Sequence, residues 1–260
     1  MPKIVLFIFL VFTFCSLRAQ TWEIGGGAGG AGYMGDLNPN YPVKISGPSV
    51  SGFFGRNFDG YLSAKINYNF GIISAADSNS SSQQFRERNL SFTTYLSEVS
   101  VTGEFNFMNY IPSVTKNNFT PYIYLGFAVL NYYPTTIYNG VKYNLRGKMT
   151  EGEKAYPTTA FSFPYGAGIK YNIFGHFTIG ANIGYRTPNT DYLDDVSGVY
   201  PVKSTLPPTD AALSDRSGEK TGIYIGSPGT QRGDGNPRDT YFFTQITLSY
   251  TFISQKCYFH

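Results

Sequence analysis

Residues Tyr241 to Phe252 read Tyr-Phe-Phe-Thr-Gln-Ile-Thr-Leu-Ser-Tyr-Thr-Phe. The even positions, Phe242, Thr244, Ile246, Leu248, Tyr250 and Phe252, make a mostly apolar set. The odd positions from Gln245 on, Gln245, Thr247, Ser249 and Thr251, are polar and uncharged. Successive side chains of a strand point to opposite faces, so one face of this stretch is greasy and the other wet. A single such strand also suits a soluble sandwich. Seven further segments of similar character narrow the choice: Trp22 to Tyr33, Pro48 to Phe58, Tyr61 to Ser74, Leu96 to Met108, Pro121 to Tyr132, Phe161 to Ile173 and Phe177 to Arg186.

The alternation is clear in most of them. In the third, Leu62, Ala64, Ile66, Tyr68, Phe70 and Ile72 oppose Ser63, Lys65, Asn67 and Asn69. In the fourth, Val99, Val101, Phe105 and Phe107 oppose Ser100, Thr102, Glu104 and Asn106. The second is the least regular, because Phe53, Phe54 and Phe58 do not share one face with Arg56 opposite, which leaves room for a β-bulge.

The connections decide between soluble and membrane folds. Short ones (Asp59-Gly60, about Asn109 to Thr120, Gly175-His176) alternate with long ones (Met34 to Gly47, Ala75 to Tyr95, Tyr133 to Ala160, Thr187 to Thr240). An even number of strands with all long loops at one end is the outer-membrane pattern. The expected fold is all-β, an eight-stranded antiparallel transmembrane β-barrel with long extracellular loops and short periplasmic turns. Residues 20–252 form the barrel, with the large external loop at 187–240.

An eight-stranded barrel is filled by its own side chains. The inward set includes Glu23, Lys65, Glu104, Lys170 and Arg186. Isolated charges there would be costly, so they are expected to form lumen ion pairs rather than an ion path, and no open pore is expected.

Met1 to Ala19 has the layout of a secretory signal: Lys3, the apolar run Ile4 to Phe14, then Ser16-Leu17-Arg18-Ala19 before Gln20. The run is too short to span a bilayer as a helix. Phe12-Thr13-Phe14 ahead of Cys15 is too bulky for a lipobox. The formal net charge is +3, two units of which are Lys3 and Arg18, so charge gives no argument for nucleic acid. Past the signal only Cys257 remains, which excludes an internal disulfide. The segment 253–260 reads as a periplasmic tail, and its lone thiol in an oxidising compartment suggests linkage to a partner.

Motifs for chemistry are few. Gly25, Gly27 and Gly30 have dinucleotide spacing but lie inside a strand, where glycine allows close packing. Arg232-Gly233-Asp234 sits in ordinary turn chemistry. His176 falls in a turn and His260 at the terminus, with no catalytic constellation beside them and no metal-binding spacing. The expectation is no enzyme, no cofactor and no metal. Asp191, Asp194 and Asp195, and Asp210 with Asp215, are acidic clusters of the kind calcium takes, read here as hydrogen-bonded loop. The 187–240 loop is long enough to be either disordered or functional. Ser204-Thr205-Leu206-Pro207-Pro208 looks disordered, whereas Tyr192, Leu193, Tyr200, Ile223, Tyr224 and Ile225 would pack if the loop folded over the barrel mouth.

Within this loop, Thr190-Asp191-Tyr192-Leu193-Asp194-Asp195-Val196-Ser197-Gly198-Val199-Tyr200 resembles the signature of PorG-like outer-membrane proteins of Bacteroidota. Tyr33-Met34-Gly35-Asp36-Leu37, Leu213-Ser214-Asp215-Arg216-Ser217, Gln231-Arg232-Gly233 and the Lys256-Cys257 tail fit in the same order. The resemblance marks Asp191, Tyr192, Leu193, Asp194, Asp195, Asp215 and Arg216 as family-motif positions. It implies an outer-membrane component of the type IX secretion system, which exports folded cargo and serves gliding in some species. The implied partners are outer-membrane lipid and a periplasmic ring lipoprotein with its own partner. The alternative is a stand-alone surface barrel whose external loops bind a ligand or surface partner.

Overall fold

The period-2 segments become β1 (Thr21–Met34), β2 (Ile45–Asn57), β3 (Leu62–Ala76), β4 (Ser91–Asn106), β5 (Phe119–Tyr138), β7 (Thr159–Phe174), β8 (Phe177–Pro188) and β9 (Thr240–Ile253), with a short β6 (Val141–Asn144) between β5 and β7. The computed structural model describes residues 21–152 and 155–253. The expected signal segment and the tail with Cys257 lie outside the described residues. Every barrel strand pairs antiparallel with its neighbours, in the order β4-β3-β2-β1-β9-β8-β7-β5, and β4–β5 pairing closes the ring. Closure leaves the eight-stranded wall no open edge, so its backbone groups are satisfied by the neighbouring strand.

The outward face is a continuous apolar belt. Ile66, Val101, Ile123, Leu125, Phe127, Ile169, Ile246 and Leu248 are all more exposed than buried or close to it, with Leu125 at 67% and Phe127 at 69%. Trp22, Phe107, Phe119, Tyr171 and Phe252 ring the end that carries the short turns, and Tyr133, Phe161, Tyr165 and Tyr185 ring the other end. Such a surface belongs in hydrocarbon between two aromatic girdles. The chain is a transmembrane β-barrel. Among the described residues no helix is long and apolar enough to cross a membrane; the crossing is made by strands.

Two expectations about the strands are corrected. Alternation in β2 is unbroken through the phenylalanines: Phe53 points into the lumen under the Lys65 ammonium, while Phe54 and Arg56 face out. Arg56 stacks over Trp22 and Phe58, so a cation faces the lipid side on two aromatic rings. The register shift lies higher, between Ala31 and Gly32 opposite the start of β2. Gly25 is glycine because a Cβ there would run into the inward Phe53 ring. The second correction concerns strand length. β4 starts at Ser91 rather than Leu96, and β5 runs to Tyr138 and folds back into β6 through Asn139-Gly140, both with positive φ, the turn that suits a two-residue hairpin.

The interior is tiered. Near the short turns the inward side chains are polar. Near the long loops they become apolar: Ala31, Tyr33, Ile73, Phe92, Leu96, Leu130, Tyr132, Tyr241 and Phe243. The external connections supply the other half of this core with Leu37, Leu90, Leu145, Leu193, Val196 and Leu213. The hydrophobic core therefore sits in the barrel mouth, and it packs the loops down as a cap. The stretch expected to be disordered is instead a 3-10 turn at Lys203–Thr205 followed by helix Pro208–Ser214.

Candidate functional site

The cap is tied by three arginines. Arg88 ends helix Gln83–Arg88 in the second external connection. Its Nε and Nη2 donate to the two oxygens of Asp77 at 2.7 Å each, its Nη1 to the Arg232 carbonyl at 2.6 Å, and its Nη2 also to the Asp36 carbonyl at 3.1 Å. One guanidinium thus joins the first, second and last connections. Arg232 donates through Nη1 to Glu151 at 2.9 Å and to the Asp195 carbonyl at 2.6 Å, and through Nε to the Ser214 carbonyl at 3.1 Å. Arg216 holds Glu219 in a fork and donates to Ser91 and Thr136 at the tops of β4 and β5.

The sequence Asp191 to Val196 threads between them, and its three aspartates go to three places. Asp194 accepts the Tyr33 hydroxyl at 2.5 Å and the Val196 N–H at 2.9 Å. Asp195 accepts hydroxyls from Thr150 and Tyr156 at 2.7 Å each, with Arg232 at 3.9 Å. Asp191 turns toward Asp36 and Asp239, and the three carboxylates each offer an oxygen within 4.8 Å of the others. Between these acids Leu193 is fully buried, and the Tyr192 ring stacks on Tyr156 at 4.4 Å.

Asp210 and Asp215 do not form a second cluster. Asp210 pairs with Lys148 at 3.2 Å, and Asp215 takes the Lys203 ammonium, the Ser217 hydroxyl at 2.5 Å and N–H groups of Ser217 and Gly226.

Burial dominates the electrostatics of the acids. It pushes Asp36 up to about 7, against the Asp234 N–H, and Asp191 up to about 6, against its bond from Ser197. Burial also lifts Asp194 and Asp239 well above the carboxylate range, each reinforced by neighbouring aspartates. Asp195 rises to about 7 by burial, opposed by Arg232 and by the hydroxyls of Tyr156 and Thr150. Asp215 goes the other way: burial raises it, but Lys203, Ser217 and Gly226 together hold it below the usual range.

Below the cap, the lumen residues fall into two groups. Lys65 reaches Glu23 at 3.3 Å and Glu104 at 3.1 Å, and Lys170 reaches Glu104 at 2.6 Å. Two acids and two amines make a neutral square joined along three of its four sides. Arg186 lies apart from it and pairs with Glu98 at 3.3 Å, a fully buried acid that also accepts from Tyr241 at 2.6 Å and Asn69 at 2.9 Å.

Sequence reasoning missed Glu98, Asp36, Asp239, Arg88 and Glu151 as site residues, although Asp36 lies in one block of the resemblance, and it met Arg232 both in such a block and in turn chemistry. A signal existed for two of them. The first and last strands of a closed barrel pair, here Met34 with Thr240, so residues just beyond those ends, Asp36 and Asp239, are brought together.

The family described as Domain of unknown function (DUF6089) matches residues 2–208. No curated protein matches the chain. Among solved structures, Ail, the attachment invasion locus protein of Yersinia pestis, is 11% identical, with 90% of this chain and 100% of that chain covered at a TM-score of 0.43. OprG from Pseudomonas aeruginosa is 10% identical, with 92% and 99% covered at 0.43. Neisserial surface protein A (NspA) is 9% identical, with 90% and 96% covered at 0.42.

Proposed function

The chain belongs to the DUF6089 family, and we propose that it is a non-enzymatic outer-membrane barrel that anchors or organises the type IX secretion machinery from its periplasmic end. The supporting observation is that the blocks resembling PorG-like proteins meet in one network. Asp36 of the first block accepts the Asp234 N–H beside the Gln231-Arg232-Gly233 block. Arg232 in turn binds the Asp195 carbonyl of the long block and the Ser214 carbonyl of the Leu213-to-Ser217 block. Short matches that arise by chance have no reason to meet in one hydrogen-bonded network.

A non-catalytic role fits the way the polar groups are used. The cap arginines and most of the acids are engaged in holding loops together. His176 lies in the β7–β8 turn against Tyr250, at the opposite end from the cap. The partners in this reading are a periplasmic ring lipoprotein and its own partner, met at the connections 58–61, 107–118 and 175–176.

The test is a mild-detergent pull-down of the tagged full chain from its native outer membrane, paired with a deletion strain. Co-purification of a periplasmic lipoprotein and its partner, with folded cargo no longer exported by the deletion strain, is the expected result. Recovery of the barrel alone with export intact would sink the reading.

One observation favours the alternative of a stand-alone surface barrel. The cap exposes Val199, Val202, Ile223, Tyr224 and Ile225, with Ile223 at 69% and Tyr224 at 63%, an apolar set facing outward. A surface partner would use it, and export would then be indifferent to the protein.

A further inference from the structure

We propose that Asp36, Asp191 and Asp239 form a calcium site that staples the first and last external connections to the root of β9. The three residues come from Gly35-Asp36 just past β1, from the long-loop motif, and from the residue before β9. Their carboxylate oxygens lie within 4.8 Å of one another, about the span of two Ca–O bonds of about 2.4 Å. The donor set is all oxygen, which suits a hard cation and gives no purchase to thiolate- or imidazole-seeking metals.

An independent observation points to a missing ligand. Asp36 is 1% exposed, and its Oδ2 has no hydrogen-bond partner, while Oδ1 accepts the Asp234 N–H. A buried carboxylate oxygen left without a donor costs free energy unless something positive meets it. Among the described residues, no ion pair reaches Asp36, Asp191 or Asp239. The nearest guanidinium, Arg88, is spent on Asp77 and on two carbonyls.

The remaining coordination has room. A cavity of about 300 Å³ adjoins the site, lined among others by Asp191, Asp234, Asn236 and Asp239. It can hold water ligands and brings two more oxygen-bearing side chains to the edge, as an ion taking six to eight oxygens requires. Gly35 permits the close approach: a Cβ there would run into Asp239 Oδ1 and the Tyr33 hydroxyl. The site does not depend on the secretion reading.

The test uses the full chain folded in lipid-free detergent micelles and stripped with a chelator, so that no lipid phosphate competes for the metal. Terbium is the probe, because Tyr33 donates to Asp239 at 3.1 Å and stands close enough to sensitise its emission. Emission saturating at one ion per chain and reversed by Ca²⁺ is expected. Asp191→Asn, the most exposed of the three, should weaken it roughly tenfold or more; Asp36→Asn is the second variant if the first fails to fold. Asp210→Asn, whose acid pairs with Lys148, should leave it unchanged. Absent emission from the folded wild type, equal emission from both site variants, or displacement by Mg²⁺ at the same concentration as Ca²⁺ would overturn the assignment.

Discussion

Arg232 shows how much of the cap hangs on one side chain. It is 3% exposed and binds Glu151, the Asp195 carbonyl and the Ser214 carbonyl, so removing it strands the Glu151 carboxylate, whose side chain is 8% exposed and whose other partners among the described residues are the N–H groups of Ser197 and Gly198. Breaking a buried pair from one side costs about 3–5 kcal/mol. Arg232→Ala should therefore open the cap by that order, read as faster amide exchange or protease cleavage across 189–239, while the β-sheet circular dichroism of the barrel stays. Protection equal to wild type would refute the role. Asp195 gives a pH prediction. It faces Arg232, Glu151, Tyr156 and Thr150, and in the folded cap it titrates near 7, above the ordinary carboxylate value. A raised folded pKa means the folded state binds the proton more tightly. The stabilisation is then complete below the unfolded pKa and is lost as pH rises through about 7. In chelator, the cap should be more protease-resistant at pH 5.5 than at pH 8.5. Asp195→Asn should flatten part of that difference; an unaltered profile would count against it.

At the scale of elements, the last connection is a separable module resting on a fixed base. Val199 and Gln231 form an isolated antiparallel bridge, and the Arg232 and Gly233 N–H groups both donate to the Gly198 carbonyl. The chain leaves and re-enters at one point, so residues 200–230 can be replaced by an Asn-Gly turn of the kind that already closes β5 and β6. The shortened protein should still fold as a barrel, since Leu193 and Val196 stay in the mouth. Its cap should be weaker, since Leu213 and the Arg216 tie to Ser91 and Thr136 are gone. Loss of the folded barrel on a semi-native gel would show that the module is not separable. In the sequence, strands were readable where the barrel is wet inside and greasy outside, as in Val99 to Asn106. They were cut short at the mouth, before Leu96 in β4 and after Tyr132 in β5, because the inward Phe92 is as apolar as an outward residue and Pro134, Thr135 and Thr136 are buried in a row, so the contrast that carries the period disappears. Parity places Glu23, Lys65, Glu104, Lys170 and Arg186 inward, but Glu98, on the same face of β4, was passed over. The partners of these charges were not readable, because Glu98 meets Arg186 and Glu104 meets Lys170 only through the closure and register of the ring.

At the scale of the whole molecule, the interior is blocked twice in series. The lower block is the neutral square of Glu23, Lys65, Glu104 and Lys170, with Phe53 and Tyr122 stacked under its two ammonium groups at 4.4 and 4.3 Å. The upper one is the Glu98–Arg186–Tyr241 group beneath the apolar mouth and its cap. The space left among the lower and middle side chains is about 50 Å³, which holds one or two waters and no hydrated ion. Opening the cap alone does not remove the lower block, because every member of the square comes from a strand and none from an external connection. In planar bilayers the full chain should therefore show no stepwise ion current, and the version with 200–230 replaced should stay silent too. Glu104→Ala removes the acid shared by both ammonium groups and leaves one carboxylate for two amines, so this variant should be destabilised by about 3–5 kcal/mol and, if it inserts, should be the one that leaks anions. Steady currents from the cap-shortened protein, with the square intact, would show that the cap and not the lumen is the seal.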